Sequence, residues 1–280
     1  MDQNSRLKYL IWSPEFSHQS GGITALHKLA ESIAKKGIEC YITTHGTVFG
    51  SLAKPIAGIH NFEYDRSTTM VIYPEVIIGN PLNATHVTRW LLNTPGVCGG
   101  DGIYSKNDLV YTYSDYYYSP VDKRIDGKLW IFDFKTNIFY NENRNRSGQC
   151  FIVKKGRGKP LDKHRADAIS IENFPGDEAL REIFNKCEYF ICYDDACFHT
   201  VQAAMCGCTP IIIPRHDMDF NEYMDKNEMF RYGIAYGFDT IDHARNTQPQ
   251  IMEHIKSLED KSNKQLEKYI EHCLNHMNIL

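Results

Sequence analysis

Residues 8–43 constrain the fold of this chain more than any other stretch. Residues 8–12 form a short apolar run, and 13–22 are a turn-rich loop ending in Gly21 and Gly22. Ile23, Leu26, Leu29, Ala30 and Ile33 then share one helical face over 23–36, and 38–43 is a second β-like run after Gly37. A strand, glycine-bearing loop, helix and second strand in so short a span build parallel sheets, with the helix crossing one face. The chain is therefore expected to open as a Rossmann-like α/β domain.

Short apolar runs at 70–73, 86–92, 109–113 and 128–132, each bounded by Gly, Pro, Asn or Asp, read as further strands of the same half. Residues 140–149 turn polar, which is linker composition and places a domain boundary near 148. A second series follows: strands at 150–153 and 168–171, a helix over 177–187 capped by Asp177, a strand at 189–193, a helix at 200–206 and a strand at 209–214. A long polar helix is expected over 251–277, broken near 260–263 and closing over the body. No repeat of fixed period is present, so the expectation is two similar but unduplicated Rossmann-like domains facing a cleft.

Length and charge narrow the function. At 280 residues the chain is long enough for two cores, and 31 basic against 35 acidic side chains provide no general basic field to hold nucleic acid. The nine cysteines are odd in number, fall within strand-like and helix-like segments and follow no signal peptide, so they are expected to be reduced thiols in a cytoplasmic protein. No apolar run is long enough for a membrane helix, which limits membrane contact to the periphery of its inner face.

Three stretches carry candidate chemistry. The loop 13–22 lies between a strand and a helix start, where backbone amides favour anions and the paired glycines allow close approach; the alternative is a plain connecting turn. It lacks both the Gly-x-Gly-x-x-Gly fingerprint and the phosphate-loop lysine, so it supports neither a nicotinamide enzyme nor a P-loop hydrolase. Between Arg144 and Arg165 eight basic residues face one acid, Asp162, and the run Lys154-Lys155-Gly156-Arg157-Gly158-Lys159 suits a pyrophosphate as well as a solvated loop. The third stretch, Tyr193-Asp194-Asp195-Ala196-Cys197-Phe198-His199-Thr200-Val201-Gln202-Ala203-Ala204-Met205-Cys206-Gly207-Cys208-Thr209-Pro210, orders strand, polar loop, helix, tight turn and buried strand.

That third stretch resembles the sugar-nucleotide-dependent glycosyltransferases of GT-B fold that carry a Glu-x7-Glu motif ahead of an Ala-x-x-Cys-Gly-Thr-Pro turn (group 1, family 4-like). Asp194 and Gln202 stand eight apart where that family has its two glutamates, and Lys155 to Lys159 resembles its basic donor-phosphate pair. Residues 13–23 and 26–30 resemble its first Gly-Gly loop and helix. The resemblance implies an N-terminal acceptor-binding domain over 1–148 and a C-terminal donor-binding domain over 149–280 with terminal helices. It also implies transfer of a sugar from a UDP- or GDP-linked donor to a hydroxyl of a glycan or lipid-linked glycan, as in polysaccharide or glycoconjugate biosynthesis, without metal or further cofactor. Donor contacts are then expected from Gly21, Gly22, Lys155, Arg157, Lys159, Asp194, His199, Thr200 and Gln202, with His199 and Thr200 meeting the diphosphate. The expected catalytic set is Lys155 and Asp194, joined by His18 as base, Asp101 standing second, if the reaction inverts the anomeric centre; a retaining reaction needs no such base.

Asp101 in the glycine-rich loop 93–102, together with Tyr113 and Tyr116 among the tyrosines at 104, 111, 113 and 116–118, is the expected acceptor surface; the alternative spreads these rings between core and rim. Asp217-Met218-Asp219 is read as no metal site, and the cysteines at 187, 192, 197, 206 and 208 with His199 as ordinary thiols rather than a zinc centre. The rival functions are a non-catalytic nucleotide-sugar-binding Rossmann pair, favoured by Gln202, and a sugar-nucleotide epimerase.

Overall fold

The computed structural model describes residues 7–17, 20–44, 46–56, 63–115, 117–156, 158–174, 176–215 and 218–279. It divides into two units, Met1–Asp133 with Asp260–Leu280, and Phe134–Glu259. The first unit holds β1 (Lys8–Ile11), α1 (Gly21–Lys35), β2 (Glu39–Ile42), β3 (Lys54–Pro55), β4 (Thr69–Pro74), β5 (His86–Leu91), β6 (Leu109–Thr112) and β7 (Gly127–Lys128). All pair in parallel, in the order β3-β2-β1-β4-β5-β6-β7. Helix α1 starts where Ser20 accepts the Ile23 amide at 3.3 Å, two residues before the expected start.

Strand alternation divides this sheet into two faces. Tyr9, Ile11, Met70, Ile72 and Trp90 join Leu26, Leu29 and Ile33 of α1 in one core cluster. Leu10, Val71, Tyr73 and Val87 point the other way and are covered by Ile56 and Leu82 from the loops. Among the described residues no α-helix lies between Lys35 and Asp133, so this sheet lacks the crossover helices that doubly wound units ordinarily place between strands.

The second unit contains β8 (Gln149–Ile152), β9 (Ile169–Ser170), α2 (Asp177–Lys186), β10 (Tyr189–Cys192), α3 (His199–Met205), β11 (Thr209–Ile212), α4 (Phe220–Lys226), β12 (Ala235–Tyr236) and α5 (Ile241–Thr247). Its parallel sheet runs β12-β11-β10-β8-β9. Read in chain order that is 2-1-3-4-5, the second of the two common doubly wound arrangements. Asp177 does not cap α2: Gly176 takes the cap position, and Asp177 lies in the first turn, bound by the Lys135 ammonium at 2.6 Å.

The chain passes between units at Asp133/Phe134, earlier than 148. The polar stretch expected to be a linker is held on the second unit: Arg146 donates to Asn141 at 2.5 Å and to the Cys206 carbonyl at 2.5 Å, and Asn185 donates to the Tyr140 carbonyl at 3.0 Å. The last helix, α6 (Ile251–His276), begins in the second unit and ends in the first. It runs 26 residues without the expected break at 260–263. Ser262 does not disrupt it because its hydroxyl donates to the Trp130 carbonyl at 2.7 Å instead of competing for helix backbone. Its later residues Leu266, Tyr269, Cys273 and Leu274 pack into the core cluster of the first sheet, and the Tyr269 hydroxyl meets Thr88 at 3.0 Å. The terminal helix thus packs back on the body, as expected. No helix among the described residues is long and apolar enough to cross a membrane.

Candidate functional site

Strand order reverses in each sheet, between β1 and β4 in the first and between β8 and β10 in the second. At such a reversal the loops leaving the two strands part in opposite directions and open a crevice beyond the strand ends, where doubly wound folds take their ligands. The second unit gathers most of the expected donor-site residues at its crevice. Lys155 is exposed in the short helical turn Lys154–Gly156 directly after β8; Asp194, His199, Thr200 and Gln202 follow β10.

The two loops fit closely. A Cβ at Gly156 would overlap the Tyr193 carbonyl, so only glycine lets the basic loop lie against the end of β10. Lys159 ties them from the other end: its ammonium pairs with Asp195 and donates to the Ile213 carbonyl at 2.7 Å. Lys159 was expected to hold phosphate, and in the structure its ammonium joins three segments of the site. Lys154, absent from the expected set, is exposed and has a left-handed backbone, φ 40°. Its amide and that of Val153 both donate to Glu172, at 3.0 and 2.6 Å. Nothing in the sequence marks that conformation.

On the opposite loop Asp194 is 6% exposed and its carboxylate accepts the Ala196 amide at 3.1 Å, a local turn that fixes the side chain at the carboxyl end of β10. The Thr200 hydroxyl turns inward to the Cys197 carbonyl at 2.6 Å. His199 and Gln202 bond to each other, Nδ1 to Oε1, at 2.7 Å, with Phe174 edge-on to the imidazole at 5.1 Å. Burial first, and then the Lys154 charge, lower the His199 pKa to about 4.

In the first unit the crevice lies at β1 and β4. Gly21 and Gly22 open α1; the space about Gly21 is free, and Gly22 approaches Leu92 after β5. The sequence reading missed Glu75, which follows β4, is 4% exposed and accepts the Leu92 amide at 2.9 Å. Burial raises its carboxyl pKa. The available signal was a lone acid directly behind the apolar run 70–74. Asp101 is exposed, its carboxylate accepting the Ile103 amide at 3.0 Å. Tyr113 packs against Trp90 with ring centres 6.1 Å apart, and burial pushes its phenol up. Of the other tyrosines, Tyr111 is core and bonded to His272 at 2.8 Å, and the Tyr118 ring is exposed. His18, Arg157, Tyr116 and Asp217 lie outside the described residues.

Asp219 serves as the cap of α4, accepting the Glu222 amide at 2.9 Å. Eight cysteines are buried free thiols and Cys98 is exposed. Among the described residues no group of three or more His, Cys, Asp and Glu side chains is arranged to hold a metal ion.

No protein-family model matches the chain. No curated protein matches its sequence. Among solved structures it is similar to a glycosyltransferase from Rickettsia africae ESF-5, at 10% identity and a TM-score of 0.51, over 97% of this chain and 99% of that one. It is also similar to the glycosyltransferase SnogD from Streptomyces nogalater, at 10% identity and a TM-score of 0.44, over 96% of this chain and 100% of that one. The first likeness spans both units and shows the fold: an α/β chain with two parallel, Rossmann-like sheets of the GT-B kind.

Proposed function

We propose that the chain is a glycosyltransferase that moves a sugar from a nucleoside-diphosphate donor, UDP- or GDP-linked, to a hydroxyl of a glycan or lipid-linked glycan. The observation that carries the reading is the crevice of the second sheet, where the lysine-bearing loop after β8 lies against the Asp194 loop after β10. The likeness to the R. africae glycosyltransferase, whose whole length shares this fold, supports it.

The chemistry follows from charge. As the glycosidic bond breaks, the leaving diphosphate gains negative charge, and Lys154, Lys155 and Arg157 would stabilise it in place of a metal. Asp194 would hold the donor sugar by accepting its hydroxyls. If the reaction inverts the anomeric centre, a base must take the acceptor proton, and His18, Asp101 and Glu75 are the candidates of the first unit. Among these Glu75 has the carboxyl shifted toward working pH by burial.

The test is incubation of pure protein with a panel of nucleotide sugars, with and without excess EDTA, following donor hydrolysis, transfer and nucleotide-induced shifts in melting temperature. Turnover that survives EDTA is the expected result. No shift and no hydrolysis with any nucleotide sugar overturns the reading. The engagement of Gln202 by His199, in place of a free carboxylate, favours one second reading, a nucleotide-sugar-binding protein without transfer. That reading predicts melting shifts with no hydrolysis of any donor.

A further inference from the structure

Gln202 stands where the resembled family has an acid and was itself expected to contact the donor, yet its side-chain oxygen is already used. Its Oε1 lies 2.7 Å from His199 Nδ1, and Gln202 is 3% exposed, so water does not compete for that oxygen. An amide oxygen only accepts, so Nδ1 carries the ring proton and Nε2 is left with its lone pair. Phe174 fixes the ring from the side, edge-on at 88°. Among the described residues Nε2 has no hydrogen-bond partner.

An uncharged imidazole presenting a lone pair is the wrong group for a phosphate. Two acceptors facing each other repel, and the cationic form that would attract an anion is disfavoured by burial and by the neighbouring lysine. The group that satisfies such a nitrogen is a neutral donor, and in a nucleotide sugar the abundant neutral donors are alcohol hydroxyls.

We infer that His199 Nε2 accepts a hydrogen bond from an alcohol hydroxyl of the bound donor, and that Gln202 is a positioning residue that holds the imidazole in the tautomer this requires. The inference rests on the nucleotide-sugar reading above. It moves His199 away from the diphosphate and gives Gln202 an indirect role. The hydroxyl belongs either to the ribose or to the donor sugar, and the two sources are separable by experiment.

The ligand-free protein supplies the first measurement. Nitrogen-15 NMR of the imidazole at pH 7 should show Nδ1 protonated and Nε2 bare; an Nε2-H tautomer or a doubly protonated ring overturns the inference. Calorimetric titration supplies the second. The parent should bind UDP or GDP about five- to tenfold tighter than the 2′- or 3′-deoxy nucleotide, the worth of one net hydrogen bond, if the ribose is the source. If the sugar is the source, the same gap should separate UDP-glucose from UDP-2-deoxyglucose or another deoxy-sugar analogue. His199→Phe should erase the gap while circular dichroism and pyrophosphate binding stay unchanged. Gln202→Leu, which frees the tautomer, should narrow it, and Gln202→Glu, which keeps an acceptor on Nδ1, should restore it. A parent that binds nucleotides, beside a folded His199→Phe that discriminates equally well, overturns the role of His199 alone. A parent that binds no nucleoside diphosphate overturns the nucleotide-sugar reading and this ligand with it.

Discussion

Lys159 and Asp195 form an ion pair that joins the loop after β8 to the loop after β10, and Lys159 also reaches the Ile213 carbonyl beyond the end of β11, at 2.7 Å. With side-chain exposures of 17% and 29% the pair is half-buried, and among the described residues its removal leaves the Asp195 carboxylate facing the more distant Arg215 guanidinium, 3.9 Å away. The lysines of one loop therefore divide: Lys159 ties the loops together, whereas Lys154 and Lys155 stay exposed.

That division is measurable. Lys155→Ala should lower turnover of a nucleotide sugar by about tenfold to a thousandfold with an unchanged melting temperature, from the usual worth of one charge-stabilising donor. Lys159→Ala should lower turnover and melting temperature together. Steady-state kinetics beside calorimetric melting decides it; an inert Lys155→Ala removes the basic loop from the donor site.

Gly156 and Gly158 provide a matched comparison of backbone fit. Gly156→Ala drives a methyl group into the Tyr193 carbonyl and should cost about 1–3 kcal/mol, the usual range for overpacking. Gly158→Ala meets nothing within 4 Å and should be close to neutral. Urea unfolding of both variants checks the contact between the loops, and equal midpoints would mean that they do not touch.

His199 predicts a pH dependence of stability with a definite sign. In the folded protein it titrates near 4, below the 6.5 of a free imidazole, so as pH falls the unfolded chain takes up the proton first. Its contribution is flat above about pH 6.5, turns destabilising between 6.5 and 4, and levels off below at a total of at most about 3 kcal/mol. Urea melts at pH 7.5, 5.5 and 4.5 should fall less steeply for His199→Phe than for the parent. Parallel slopes would show a histidine that titrates normally.

Glu75 offers the sharpest kinetic test in the first unit. Its carboxyl is shifted upward by burial, so a rate that depends on its ionised form should fall on an acidic limb above the ordinary carboxylate range. Glu75→Gln keeps an acceptor for the Leu92 amide and should lower transfer by about a hundredfold to ten-thousandfold while donor binding persists. Retained transfer in that variant assigns the proton to another group.

Much of this architecture was legible because each central strand is a compact apolar run with its own turn residues: β1, β4, β5, β6, β8, β10 and β11 all lie where alternation and punctuation put them. The two-residue edge strands β3 and β12 were not legible, since pairing with a neighbour rather than local pattern makes them strands. The boundary near 148 misled because a polar stretch can be a surface hydrogen-bond belt, as Arg146 and Asn185 make it. Lys155, Asp194 and His199 follow the ends of β8 and β10, where the strand and loop pattern put them. Lys154 was missed because its part depends on a positive φ, and Glu75 because its significance lies in burial behind β4.

Helix α6 also orders events during synthesis. Tyr9 and Tyr269, 6.0 Å apart between ring centres, belong to the same core although nearly the whole chain separates them in sequence. The first-made half therefore cannot finish burying Tyr9, Ile11 and Trp90 until residues 266–274 have left the ribosome, whereas the second unit has its complete sheet by Tyr236. Of the two units the one begun earlier is the one completed later, and until α6 arrives the part of its sheet face that α1 leaves uncovered has no partner within the chain.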